Sequence, residues 1–279
     1  MPRRSLLQTV VLILLVVAGV FPLGYFVTVE VGIAEASQDS SEITEEVNTF
    51  DRYVENVAFG ANEKFTFDIN YGFINAGVAT MEVVRLVEYE QRPCHQIVSR
   101  ANSNKFFSTF YNVDDRVESI IDAVGLFSWR FEKNLREGSY RADRRYCFDQ
   151  RNHLAFYIDD TLSVPPFVQD PLSVLYYVRT QELKPGQALA VDNFTDGKHY
   201  PLEVKVLKRE TVTVEAGTFD CVVVEPLLKS VGVFKHQGRL RVWLTDDRLK
   251  MPVLMKSKVL VGSITAELTD YRLGKIEDF

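Results

Sequence analysis

Catalytic signatures are what this sequence has least of. It holds four histidines, His95, His153, His199 and His236, and they are scattered. No His-Glu-x-x-His and no pair at helical spacing occurs, which excludes the common helical zinc sites. Each lone histidine therefore reads as a turn or surface residue. No Gly-x-Ser-x-Gly is present, so the strained elbow that exposes a hydrolase serine is missing. No glycine-rich phosphate cradle stands in its place, since Gly232 and Gly238 fall in strand or turn context. Cysteine is equally sparse. Cys94, Cys147 and Cys221 lack CxxC or metal-ligand spacing and read as small apolar strand residues, with one disulfide plus one leftover thiol as the alternative in an exported protein. Cys94 and His95 are neighbours, which puts them on opposite faces of a strand and removes a Cys-His dyad. No metal and no cofactor is expected.

A surplus of positive charge is also lacking. The net charge is −6, and Glu35 to Glu63 alone holds eight acids and one base, so the remainder is close to neutral. That argues against nucleic acid as a partner, which needs a basic surface to displace counterions. The acid pairs Asp114-Asp115, Asp159-Asp160 and Asp246-Asp247 lack the alternating spacing of a calcium loop and are expected to build turns. The window Arg130 to Arg151, with seven bases and four acids, reads as a solvated strand face laced with ion pairs; a groove for an anionic head group is the alternative.

What is present divides the chain. Residues 1–29 carry Arg3-Arg4 and then the apolar run Leu6 to Val29. The length suits an uncleaved signal anchor with its N-terminus in the cytoplasm, and a signal peptide cleaved near Ala34-Glu35-Ala36 is the alternative. Residues 30–62 are acidic and read as a flexible tether. Residues 63–273 form a β-rich domain, and 274–279 a polar tail.

Within the domain, apolar residues recur with the period of two of half-buried strands. Phe65, Phe67, Ile69 and Tyr71 alternate with polar residues, and Ala79, Met81, Val83, Val87 and Tyr89 are expected on one inner face. One helix interrupts the strands: Asp170 is a plausible N-cap, Pro171 suits the first helical position, and Leu172, Leu175, Tyr176 and Arg179 fall at helical spacing. Such a helix lies most naturally across an open sheet mouth or edge. From Gly238 to Leu268 the chain reads as two strands meeting at an acidic turn and a third returning after Gly262. The fold class is mainly β: an antiparallel curved sheet or half-barrel with one short amphipathic helix, preceded by an N-terminal membrane helix. Phe67, Tyr71, Trp129, Tyr140 and Trp243 are the candidates to line a cavity in such a sheet.

Four ordered stretches carry a resemblance to a known family: YGFINAGVATMEV (Tyr71 to Val83), DPLSVLYYVR (Asp170 to Arg179), VEAGTFDC (Val214 to Cys221) and VWLTDDRLKMPVLMKSKVLVGSITAEL (Val242 to Leu268). Together they resemble the exported bacterial family called domain of unknown function 3108, from about Phe65 to Tyr271. The resemblance implies a Gram-negative envelope protein of antiparallel β structure, akin to curved-sheet lipoprotein carriers, with no catalytic residues to carry over.

The expectation is a non-enzymatic periplasmic protein, anchored to the inner membrane or soluble after cleavage, that binds a lipid, acyl chain or other apolar ligand. A structural module that assembles with envelope proteins through a sheet edge is one alternative. A cell-wall or lipid hydrolase is the other, and it requires paired carboxylates converging in a cleft.

Overall fold

The computed structural model describes residues 52–228, 240–258, 262–277 and 279. The expected membrane helix at 1–29, residues 30–51 of the acidic segment, and His236 lie outside them. The strands are β1 (Lys64–Tyr71), β2 (Ile74–Tyr89), β3 (Arg92–Ser103), β4 (Asp114–Asp122), β5 (Ser128–Glu137), β6 (Tyr140–Asp149), β7 (Leu154–Tyr157) and β8 (Asp160–Ser163), then β9 (Ala188–Thr195), β10 (Lys198–Val214), β11 (Gly217–Leu228), β12 (Leu240–Thr245), β13 (Pro252–Lys258) and β14 (Ser263–Arg272). Two helices accompany them among the described residues: α1 (Lys105–Ser108), a single turn, and α2 (Pro171–Thr180).

All fourteen strands join one antiparallel sheet in the order β8-β7-β6-β5-β4-β3-β2-β1-β14-β13-β12-β11-β10-β9. Every neighbour pair is consecutive in sequence except β1 and β14, so the meander closes on itself in mid-sheet and its seam falls between β8 and β9. The sheet stays open at that seam but curls enough to bring β6 and β9 near each other. The connection from β8 to α2 fills it: the Val168 carbonyl accepts from Ser128 N on β5, while Gln169 N donates to Asp192 O and Gln169 O accepts from Phe194 N on β9. The rings of Tyr146 and Phe148 on β6 then meet Phe194 on β9, with centroids 6.3 and 5.8 Å apart.

Helix α2 stops one mouth of this curled sheet. Its start is fixed locally, as the sequence leads one to expect. Asp170 Oδ1 accepts from Leu172 N and Ser173 N, Ser173 Oγ accepts from Asp170 N, and Pro171 occupies the first turn. Asp170 Oδ2 accepts from the hydroxyls of Ser119 on β4 and Ser128 on β5. At the other end Arg179 reaches Glu63, just before β1, and the carbonyl of Leu249 in the β12–β13 turn. The helix thus spans the mouth through which the chain enters β1. No residue of α2 is exposed, and Leu175, Tyr177 and Thr180 alone are half-buried, so the helix is packed into the mouth with most of its surface covered.

The core follows the alternation read from the sequence along β1, where Phe65, Phe67 and Ile69 are buried. On β2 the expected inner face breaks. A bulge between Val83 and Arg85 shifts the register, and one extra residue turns the rest of a strand over. Ala79, Met81 and Val83 remain in the main core, whereas Val87 and Tyr89 pack outside against Cys94, Ile120 and Trp129. Residues from both flanks also join the domain: Phe59 is buried with its ring against Tyr176 at 4.9 Å, and Lys275 pairs with Ala61. The structured part accordingly includes residues that read as tether and tail.

Candidate functional site

The inner faces of β10 to β13 do not close completely on α2. Pro171, Val174, Leu175 and Val178 form one wall of a groove of about 80 Å³. Leu202 and Val204 of β10, Val224 and Pro226 of β11, Leu240 and Val242 of β12, and Met255 of β13 form the other. The wall exists because these residues share a face: Leu202 and Val204 are two apart, and Val242 lies directly opposite both Val224 and Met255. Every lining side chain is apolar, so the groove offers binding and no nucleophile, acid or base. A larger cleft of about 520 Å³ lies among Tyr53 to Val57, Arg248 and the C-terminal residues Gly274, Ile276, Glu277 and Phe279. That cleft is space between two terminal segments, whereas the groove lies inside the sheet.

The five aromatic candidates do not converge. Phe67 is part of the main core and Tyr71 is half-buried at the end of β1, packed against that core. Trp129 sits at a bulge: Ile120 pairs with Arg130 but Ile121 with Ser128. The skipped residue turns outward, and its Nε1 donates to Asp122 at 3.2 Å. Trp243 lies on the outer face with Cys221, Val223 and Val253, its Nε1 donating to Glu210 at 2.7 Å. Tyr140, in the β5–β6 hairpin, is exposed.

Groups that the spacing hid are charged or polar and buried. Arg179 forms a two-pronged ion pair with Glu63, 2.7 Å on each prong, and donates further to the carbonyls of Ala58 and Leu249. Its guanidinium lies over the rings of Phe59, Phe65 and Tyr176, and the Glu63 carboxylate raises its pKa against the opposing effect of burial. His95 is fully buried, not a surface residue. Its ring meets Phe59 edge-on, and burial lowers its pKa to about 4, so it is neutral.

Asp115 is likewise no turn residue. It lies in β4 close to Glu137 of β5, and the two are 1% and 2% exposed. Burial pushes both carboxyls above the ordinary range, and the neighbouring Asp115 raises Glu137 further. Asp115 Oδ2 and Glu137 Oε1 have no donor among the described residues, so one proton shared between them satisfies both. This is a convergence of carboxylates, but inside the wall of the sheet, where no substrate reaches. Asp247 does behave as a turn residue, its Oδ1 accepting from Leu249 N, Lys250 N and the Thr245 hydroxyl. In the basic window, Arg130 pairs with Glu118 and Glu132, Arg145 with Glu132, and Arg136 with Asp143. No cluster of three metal-ligating side chains occurs among the described residues, and no helix among them is long and apolar enough to cross a membrane.

Comparison with known proteins adds a family and a fold. The model of a family described as protein of unknown function (DUF3108) matches residues 66–269. No curated protein matches the sequence. Among solved structures, a beta-barrel-like protein of domain of unknown function DUF1849 from Brucella abortus aligns over 78% of this chain and 100% of its own, at 12% identity and a TM-score of 0.51. A candidate exported protein with a YmcC-like fold from Bacteroides fragilis aligns over 79% of this chain and 99% of its own, at 14% identity and a TM-score of 0.31, too low to bear on the fold.

Proposed function

The chain belongs to the DUF3108 family of proteins of unknown function, and from that premise we propose that it is an exported envelope protein that holds an acyl chain or similar apolar ligand in the groove between α2 and β10–β13. The observation that carries this reading is the groove itself, an opening inside the sheet lined by eleven side chains without one polar group. An apolar wall of this kind favours an apolar occupant, and at about 80 Å³ the groove takes a short stretch of an acyl chain. Each methylene transferred from water into the groove contributes about 0.8 kcal/mol.

The envelope location rests on Arg3-Arg4 followed by the apolar run Leu6 to Val29, which delivers the domain to the periplasm, anchored to the inner membrane or released by cleavage. Assembly through a sheet edge is less well supported, because one of the two edges, β9, is already engaged by Gln169. Native mass spectrometry of the full chain recovered from membranes tests the reading. An acyl-bearing adduct that disappears in Val242→Trp, which fills the groove, supports it; wild-type protein that carries no adduct when incubated with acyl lipids contradicts it.

A further inference from the structure

Beside the groove, the inner face of β9 and β10 changes from apolar to polar. Leu189 pairs with Val204 and Val191 with Leu202, while one step further along the same face Asn193 pairs with Tyr200, and Thr195 follows. Leu202 and Val204 line the groove. Tyr200 therefore stands about 7 Å beyond the groove wall, one two-residue step along a strand. Asn193 and Thr195 are each 1% exposed and Tyr200 7%. Asn193 Oδ1 and Nδ2, Thr195 Oγ1 and the Tyr200 hydroxyl all lack a partner among the described residues.

Four unpaired polar atoms on three buried side chains are costly to leave unsatisfied. Their position at the end of an apolar groove gives them a common use. We propose that Asn193, Thr195 and Tyr200 form the head-group subsite of the groove, and that its ligand is an amphiphile with an uncharged hydroxyl- or amide-bearing head, such as a monoacylglycerol. This deepens the reading of the groove as an acyl site and rests on it.

The chemistry selects against a charged head. An amide and two hydroxyls both donate and accept, which matches a head that does the same. No cation among the three could neutralise a carboxylate. Burial raises the Tyr200 phenol, and the charge of Asp196, next in sequence to Thr195, adds to the effect. Lys198, the cross-strand partner of Thr195, is exposed to solvent, and Lys133 is committed to Asp196. An anionic head would be left beside a carboxylate in a water-poor site, whereas a neutral diol would satisfy the orphaned atoms.

The test offers the full chain, in detergent micelles, an equimolar mixture of monopalmitoylglycerol and palmitate and reads the adducts by native mass spectrometry. Wild type is expected to favour the monoacylglycerol by about ten-fold, the effect of one or two buried hydrogen bonds. In Asn193→Leu combined with Tyr200→Phe the preference should fall to about one while total acyl adduct persists. Equal adducts in the wild type, a preference for palmitate, or an unchanged preference in the double variant would each overturn the head-group site while leaving the groove standing. No adduct of either amphiphile would overturn both.

Discussion

Arg179 and Glu63 lie 116 residues apart and meet through two 2.7 Å hydrogen bonds with both side chains almost wholly buried. The pair binds the end of the plugging helix to the segment that enters β1, and through Leu249 to the β12–β13 turn. Breaking a buried pair from one side strands the other charge. Arg179→Met is expected to lower unfolding free energy by about 3–5 kcal/mol in guanidinium titration. Removing both charges with Glu63→Met added should recover part of that loss, and a double variant less stable than the single one would show that the pair does more than satisfy itself.

Asp115 and Glu137 predict the shape of the pH dependence. Their folded-state pKa values lie above those of the unfolded chain, so between the ordinary carboxylate range and the raised range the folded state binds more protons. Stability contributed by the pair is then complete below about pH 4 and is lost as pH rises through neutrality. Glu137→Gln, which keeps a donor for Asp115, is expected to flatten the decline in melting temperature between pH 5 and pH 8 on the order of several degrees. A wild-type profile that rises across that range and is unchanged by the variant would refute the assignment.

How much of this was legible in the sequence depends on the range of the interaction. The start of α2 was legible, because Asp170, Pro171 and Ser173 act within one turn. The inward set Phe65, Phe67 and Ile69 was legible from its period. Bulges erased the same signal elsewhere: one extra residue after Val83 sent Val87 and Tyr89 outward, and another placed Trp129 on the outer face. Nothing local marks a bulge in either stretch. The groove was not legible, because the facing of Leu202 and Val204 towards α2 depends on the curl of the whole sheet. Glu63 stood at the first position of the β-rich domain with nothing local to mark a partner, and only the fold reveals Arg179 as that partner.

The cysteines give a further prediction. All three are free, Cys94 and Cys221 are buried, and burial pushes their thiols up to about 12. Unreduced, denatured protein should titrate three thiols, and in the native state Cys147 should react first with a maleimide. Fewer than three thiols on denaturation would mean a disulfide that the fold does not contain.

Trp129 and Trp243 stand on the outer face, away from the groove, so a ligand within it should leave their emission unchanged. Leu240→Trp places an indole on the groove wall. Adding a brominated acyl amphiphile is expected to quench the new indole and spare the two native ones, read as the difference between variant and wild type. Equal quenching in both proteins would place the ligand elsewhere.

The central claim, that an apolar ligand occupies the space between α2 and β10–β13, is tested most directly by photolabelling. The full chain is illuminated with an acyl amphiphile carrying a diazirine at mid-chain, and the adducts are mapped by peptide mass spectrometry. The account predicts adducts on the peptides holding Val174 to Val178, Val224 and Val242, lost in Val242→Trp. Adducts confined to the outer aromatic clusters or to the cleft between the terminal segments would contradict it.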